Sequence, residues 1–434
     1  MRVVLKGGRV VDPGLGLDER REVLIEEGRV KDLVPPGGEG DFLSGAEVIL
    51  VGGLIVTPGL IDLHTHLREP GHEYKETVAT GAAAAAAGGF TAVAAMPNTN
   101  PVCDEGSVVE FVLERAAQAG SARVWPIAAM TRGQAGEVLC EYADLAEAGA
   151  KGVSDDGKWV ADSRLMRQVL EYAQVFGLTA ISHAEEPSLS AGGLMNEGPV
   201  STRLGLSGSP SAAEDIAVAR DVRLAALTGA PVHLAHVSTA GAVEIIRRAK
   251  EAGLPVTAET APHYFTLTDE AVVGYRTEAK MNPPLRSAED LAAVKRGLAD
   301  GTLDAVATDH APHSSIEKDV EFDQAAFGIV GLETSLPLTL ALVREGVLDL
   351  RRAVEVLSLN PARILRVPGG TLQPGGPADL TVIDPDLAWT VDPDKFKSKS
   401  RNTPFSGWNL RGRAVLTMTG GRVTHNLLTP AALP

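Results

Sequence analysis

The chain has 434 residues, which at roughly 100–200 residues per domain suits one large domain with an appendage. Apolar residues make up 44% and charged residues 22%, which excludes wholesale disorder and leaves enough apolar surface to build a core without staples. The net charge of −16 comes with no lysine or arginine block. Neither a nucleic-acid footprint nor a grip on anionic membrane is therefore expected, and an anionic substrate would be met by one or two placed cations.

The N-terminal MRVVLKGGRVVDPG has no charged stretch followed by a long apolar run, so no signal peptide is read. The first ~55 residues are short β-like runs broken by glycine and proline. Similar composition returns near the end in ADLTVIDP, LAWTV and GRAVLTMTGGRVTHN. KGGRVVD (6–12) and TGGRVTHN (419–426) resemble each other, which suggests one small sheet built from both termini; two unrelated hairpins fit the pattern equally well.

Between these ends, apolar strand-like runs alternate with helix-like stretches. The runs are 60–67, 90–98, 123–130, 150–156, 178–185, 231–238, 255–263 and 303–313. Amphipathic segments at 163–176, 212–228 and 240–252 lie between some of them. Near-continuous apolar strands with helical crossovers indicate a parallel sheet covered on both faces, and eight is the number that closes a barrel. The expected fold is a (β/α)8 TIM barrel over 57–368, with a small β-sandwich composed of 1–56 and 369–434. The alanine run Ala82–Ala87 is short and glycine-flanked, which favours close helix packing over lipid, and no run reaches ~18 apolar residues. Cys103 and Cys140 form no C-x-x-C, hence neither a disulfide framework nor a thiolate zinc site. The chain reads as soluble and cytoplasmic.

Most strands start apolar and end in a potential ligand: His64 and His66, then Asn98, Asp155 or Asp156, His183, His236 and Asp309. In a barrel the strand C-termini share one rim, and His-x-His on a strand places both imidazoles on one face. Alone, a His-x-His is ordinarily chance, a single histidine is ordinarily a core residue, and Asp-Asp-Gly is a turn. Five strands ending in metal-competent residues shift the balance to a divalent cation, and imidazole plus carboxylate without thiolate suits catalytic zinc.

PGLIDLHTHLREPG, AAMPNT, SDDG, ISHAEE, HLAHVST, MNPPLR and ATDHAPH occur in order over almost the whole chain. With them the chain resembles the cyclic-amidohydrolase superfamily, and most closely the bacterial dihydroorotases with an Asp-Asp-Gly motif. The resemblance implies reversible hydrolysis of dihydroorotate to carbamoyl aspartate, the ring closure of pyrimidine synthesis. It implies one zinc on His64, His66 and Asp309, a second on His183 and His236, and Asp156 bridging the two. Its substrate set is His66, Arg68, Asn98, Asn282, His313 and the Phe327–Gly328 backbone. Metal-bound hydroxide would attack the ring amide, and Asp309 would act as base and then acid. Arg68 suits a small anion as a two-pronged fork, although a salt bridge to Glu69 or Glu73 is the plain alternative.

Lys151 on the fourth strand is a rival bridge, because related hydantoinases carry a carboxylated lysine there. The choice of Asp156 over Asp155 rests on motif match. Many relatives carry two histidines after the strand-seven proline, whereas here His263 is followed by Tyr264. His72, His233, His310 and His425 receive no role, although His310 is close enough to support the ligands. The polar stretch 314–326 reads as a lid or a mobile loop. The resemblance also implies a homodimer and admits docking to aspartate carbamoyltransferase. Another cyclic amidase, such as a hydantoinase or allantoinase, and a non-catalytic scaffold for the transferase are the competing functions. Arg68 and the Asp-Asp-Gly bridge oppose the former, and the full ligand set opposes the latter.

Overall fold

The computed structural model describes residues 1–428. Eight parallel strands occupy the middle of the chain: β1 (Leu60–Thr65), β2 (Phe90–Ala95), β3 (Arg123–Ala128), β4 (Gly152–Val153), β5 (Thr179–Ser182), β6 (Val232–Leu234), β7 (Val256–Thr260) and β8 (Ala305–Val306). They hydrogen-bond in chain order. A parallel bridge between Thr65 and His310 draws the first and last together, and the His66 N–H donates to His310 O at 2.8 Å. Asp62 stitches the same seam, accepting from the Thr308 N–H at 3.0 Å and from Thr308 Oγ1 at 2.5 Å. The barrel is nearly closed.

All eight expected strands are present, but each is shorter than its apolar run. The fourth keeps only Gly152–Val153 of the expected 150–156. The ladder stops where the polar residues begin, because those residues turn into the mouth instead of pairing. Helices α1 (Val78–Gly88), α2 (Gly106–Ala119), α3 (Tyr142–Ala148), α4 (Ser163–Val175), α5 (Ser211–Thr228), α6 (Ala240–Glu251), α7 (Ala288–Asp300) and α8 (Leu332–Arg344) cover the outside. The three amphipathic segments read from sequence are α4, α5 and α6.

Ile61, Leu63, Ala92, Ala94, Ile127, Ile181, Ala305 and Ala307 fill the barrel interior. Alternating small and branched residues plug its lower half and leave the polar residues at the upper rim. The pairing of β1 with β2 slips between Asp62 and Thr65. Ile61 and Leu63 belong to the plug, whereas His64 and His66 belong to the mouth.

Both termini contribute to a six-stranded sheet. Arg422–Asn426, Asn409–Thr419, Leu380–Thr390, Ile55–Pro58, Arg9–Asp12 and Leu17–Arg20 follow one another across it, so the two look-alike segments are strands of one sheet. A second sheet, Arg29–Val34, Glu22–Glu26, Arg2–Lys6 and Glu47–Leu50, comes from the N-terminal residues alone. Val3, Leu5, Val23 and Ile25 from this sheet pack against Val10, Val56, Leu380, Val382, Leu416 and Met418 from the other. Residues 429–434, which belong to the expected composite unit, lie outside the described residues. Cys103 and Cys140 are free and buried. Among the described residues no helix is long and apolar enough to cross a membrane.

The alanine-rich α1 serves close packing. A Cβ on Gly88 would lie 2.2 Å from Leu332 O at the start of α8, and the obstacle is backbone, which cannot swing aside. Gly88→Ala is therefore expected to destabilise the fold by about 2 kcal/mol, as overpacking does, despite alanine's better helix propensity. Chemical denaturation of the two proteins side by side checks this; a stabilised variant would contradict the packing.

Candidate metal centre and active site

The residues at the strand ends converge. His64 and His66 close β1, with ring centroids 5.4 Å apart. Asp156 follows β4 by three residues, and its Oδ1 lies 3.2 Å from His64 Nε2 while Oδ2 lies 3.5 Å from His66 Nε2. Across the mouth, His183 Nδ1 and His236 Nε2 are each 3.5 Å from Asp156 Oδ1 and 2.8 Å from each other. Asp156 thus belongs to two donor groups, one with His64 and His66, the other with His183 and His236. Asp309 Oδ1 stands 3.4 Å from His66 Nε2 and 3.8 Å from His64 Nε2.

These donors suit a pair of divalent cations. His64 Nε2 and Asp156 Oδ1 are buried and make no hydrogen bond, although they lie 3.2 Å apart. They aim at a common point, not at each other. The set is entirely nitrogen and oxygen, the composition of catalytic zinc sites. Burial would raise the Asp156 carboxyl, but His64, His183 and His236 hold it well below the usual carboxylate range. Asp309 is likewise pushed up by burial and pulled down to about 2, first by its bond with His66. Both carboxylates stay charged at neutral pH.

The backbone is strained at three of these positions. His236, Asp309 and Arg68 have φ of 38°, 47° and 63°, in the left-handed region that costs a residue with a Cβ of order 1 kcal/mol each. The fold sustains this strain because each residue leaves a strand end and must turn inward at once.

The residues expected to meet substrate make the following contacts. Arg68 Nε donates to Pro312 O at 3.2 Å, and its Nη2 lies 3.4 Å from His313 Nε2. Burial lowers Arg68 to about 10, which leaves it charged. Asn98 Nδ2 donates to Asp156 O at 2.7 Å, and its Oδ1 is buried without a partner. Asn282 Nδ2 donates to Glu185 Oε2 at 2.9 Å. His313 Nε2 donates to Phe327 O at 2.8 Å. Gly328 takes φ 128°, and a Cβ there would meet that of Ala311 at 2.6 Å.

A dihydro-orotase-like family model matches residues 53–242. The dihydroorotase of Geobacter metallireducens is 57% identical over 426 residues, spanning 98% of this chain and 100% of that protein. That of Pelotomaculum thermopropionicum is 55% identical, spanning 98% of each. The chain belongs to the dihydroorotase family. It is a metal-dependent amidohydrolase. Among solved structures, the L-hydantoinase (dihydropyrimidinase) from Arthrobacter aurescens superposes with a TM-score of 0.87 at 27% identity, covering 98% of this chain and 96% of that one. A D-hydantoinase from a Thermus species gives 0.80 at 25% identity, covering 98% and 95%.

Within this dihydroorotase site the two adjacent aspartates part company. The Asp155 carboxylate accepts from the Met130 N–H at 2.8 Å, the Thr131 N–H at 3.1 Å and the Thr131 hydroxyl, which turns it toward the end of β3. Asp156 alone joins the donor groups. Lys151 precedes β4, at the opposite end of that strand from Asp156. His263 is buried with its Nε2 unpartnered, and burial lowers it to about 4.

Several residues of the site were given no role from the sequence. Glu259 on β7 is fully buried between two histidines, His64 Nδ1 at 3.2 Å and His233 Nε2 at 3.2 Å. Burial opposes its charge, yet the bonds to His233 and His64 bring it to about 2. It fixes the His64 ring with Nε2 toward the cation position, as carboxylates behind metal-binding imidazoles do. Glu185 orients Asn282, and Glu76 accepts from His310 Nε2 at 3.3 Å. A glutamate inside the strand run Val256–Thr260 was the available signal for Glu259, and the ISHAEE motif for Glu185; Glu76 had none.

Two outcomes follow. Asp155→Ala leaves three buried donors unpaired and is expected to cost about 3 kcal/mol of stability while bound metal stays unchanged; Asp156→Ala should lose the metal and keep the stability. Elemental analysis with thermal denaturation separates them, and metal loss in the Asp155 variant would reverse the assignment. Burial, with Arg68 and Lys75 nearby, lowers His313 from 6.5 to about 3. As pH falls between these values the unfolded chain takes up a proton that the folded site refuses, so this residue erodes stability toward acid. His313→Asn should flatten the acid side of the stability–pH curve, and an unchanged slope would refute the neutral imidazole.

Proposed function

We propose that this dihydroorotase-family chain interconverts (S)-dihydroorotate and N-carbamoyl-L-aspartate with two zinc ions, one on His64, His66 and Asp309, the other on His183 and His236, and Asp156 between them. The observation that carries the reading is Asp156 as a member of both donor groups. Bound there, the zinc pair would supply Lewis acidity, lowering the pKa of water toward neutrality and polarising the amide carbonyl.

The chain's own residues do the rest. Arg68, half-buried and charged, receives the substrate carboxylate with a bidentate fork. Asn98 and Asn282, each with one amide hydrogen already committed, offer carbonyl oxygens and remaining N–H groups to the ring edge. Phe327 and Gly328 flank the ring from the loop after β8. Asp309, ionised beside His66, accepts the proton of the attacking water and returns it to the ring nitrogen as the carbon–nitrogen bond breaks. In reverse the same carboxylate removes the proton as the ring closes and water leaves.

The solved relatives are hydantoinases, and the competing reading is hydantoin or allantoin hydrolysis. The dihydroorotases' higher identity over nearly the whole chain and the half-buried, charged Arg68 favour the carboxylated ring. The same reading takes 57–368 as the catalytic unit and 1–56 with 369–434 as a composite second unit, and places a homodimer in the cytoplasm that is able to dock to aspartate carbamoyltransferase.

Assay of the purified chain with dihydroorotate, hydantoin and allantoin, before and after chelation, tests the function. Turnover of dihydroorotate alone, abolished by chelator and restored by zinc, is expected. Asp309→Asn should lower kcat by roughly a thousandfold while zinc content and KM stay near wild type. Full activity in that variant would remove Asp309 from the proton transfer.

A further inference from the structure

Residues 398–405 leave the small domain and run back across the barrel mouth. The Ser400 hydroxyl donates to Lys75 O at 2.7 Å, the Lys399 ammonium to Glu73 O at 2.7 Å, and the Val330 N–H to Asn402 O at 2.9 Å. Within this strap Asn402 is 5% exposed. Its Nδ2 donates to Ala311 O and Gly328 O, both at 3.0 Å, and its Oδ1 accepts from the His313 N–H at 3.1 Å. Two carbonyls and one N–H allow a single orientation of this amide, since the flipped one would set oxygen against oxygen.

Ala311 and His313 leave β8 just after Asp309. Phe327 and Gly328 lie on the far side of the 314–326 segment. One side chain from the C-terminal strap thus clips together the two stretches of backbone that flank the substrate pocket. A second tie, from the His313 ring to Phe327 O, runs between the same stretches. The base of the 314–326 segment is pinned by the same bonds.

We propose that Asn402 is a positioning residue for substrate binding: it sets the spacing between His313 and the Phe327–Gly328 backbone. The proposal rests on the reading of those residues as the substrate set. Asn402 bonds to none of the metal-binding side chains, so its loss should act on substrate affinity and leave the cations in place. Aspartate at 402 would keep the shape but set a charged oxygen against two carbonyl oxygens, opening the clip.

Steady-state kinetics of N402D, N402S and H313A with dihydroorotate, alongside zinc content and thermal midpoint, test this. N402D should raise KM by about tenfold or more with kcat changed far less, and N402S, which keeps one donor, should fall between it and wild type. Zinc content should match wild type in all three. Unchanged KM in N402D and N402S, with KM raised in H313A, would overturn the proposal. Unchanged KM in H313A as well would overturn the pocket reading beneath it. Loss of kcat and zinc together would make Asn402 merely structural. Should N402D fail to fold, N402S carries the same comparison.

Discussion

The Asp156 carboxylate, 5% exposed and ringed by His64, His66, His183 and His236, remains charged although it is almost wholly removed from bulk solvent. An isolated ion so buried would neutralise itself, so its charge persists only where positive charge is concentrated on the same point. Much of the surrounding architecture answers that demand. Glu259 holds one imidazole from behind, Asp309 supplies a second carboxylate, and Arg68 places a fixed cation at the outer edge. The net charge of the chain is negative, yet the mouth is built to hold cations first and then an anion. The field that matters there is local.

The barrel makes this concentration affordable by separating two tasks. Its lower interior is an apolar plug of alanine, isoleucine and leucine, which supplies cohesion without polar atoms. Its upper rim gathers polar side chains from five strands, each displaced from its ladder as soon as it leaves the plug. Left-handed backbone at Arg68, His236 and Asp309 marks these abrupt turns. The rim could not be so dense in unpaired donors if the plug did not hold the strands beneath it, and the Asp62–Thr308 seam keeps the first and last strands level.

How much of this can be read in the sequence depends on whether a role is local or depends on a crossing. Strand ends are local: an apolar run that stops at a histidine or aspartate announces both the strand and its rim residue, which is why all eight strands and both cation-binding groups were legible. The choice between Asp155 and Asp156 was not, because period-two alternation fixes a face only while the strand continues, and β4 ends at Val153. Glu259 could have been suspected as a charge inside an apolar strand. Glu185, Glu76 and Asn402 act through partners from 74 to 322 residues away, and nothing in their own neighbourhoods records the contact. The terminal look-alikes foretold one sheet, while the second sheet, drawn from the N-terminal residues alone, left no matching echo at the other end.

The terminal sheets are more than a cover for the chain ends. One packs beside the barrel, but the segment leaving it returns to the mouth, where Ser398 donates to Glu76, Glu76 accepts from His310, and His310 closes the barrel seam next to Asp309. The Gly331 N–H donates to His310 Nδ1 at 3.1 Å and Nε2 faces Glu76, so the ring is fixed from both sides. A residue forced to φ 47° at Asp309 is thereby flanked by a neighbour that cannot rotate. Backbone strain of this kind persists only when its surroundings over-determine it. Here part of the over-determination comes from the last part of the chain, through Ser398 and Glu76, so the barrel alone would lack that support.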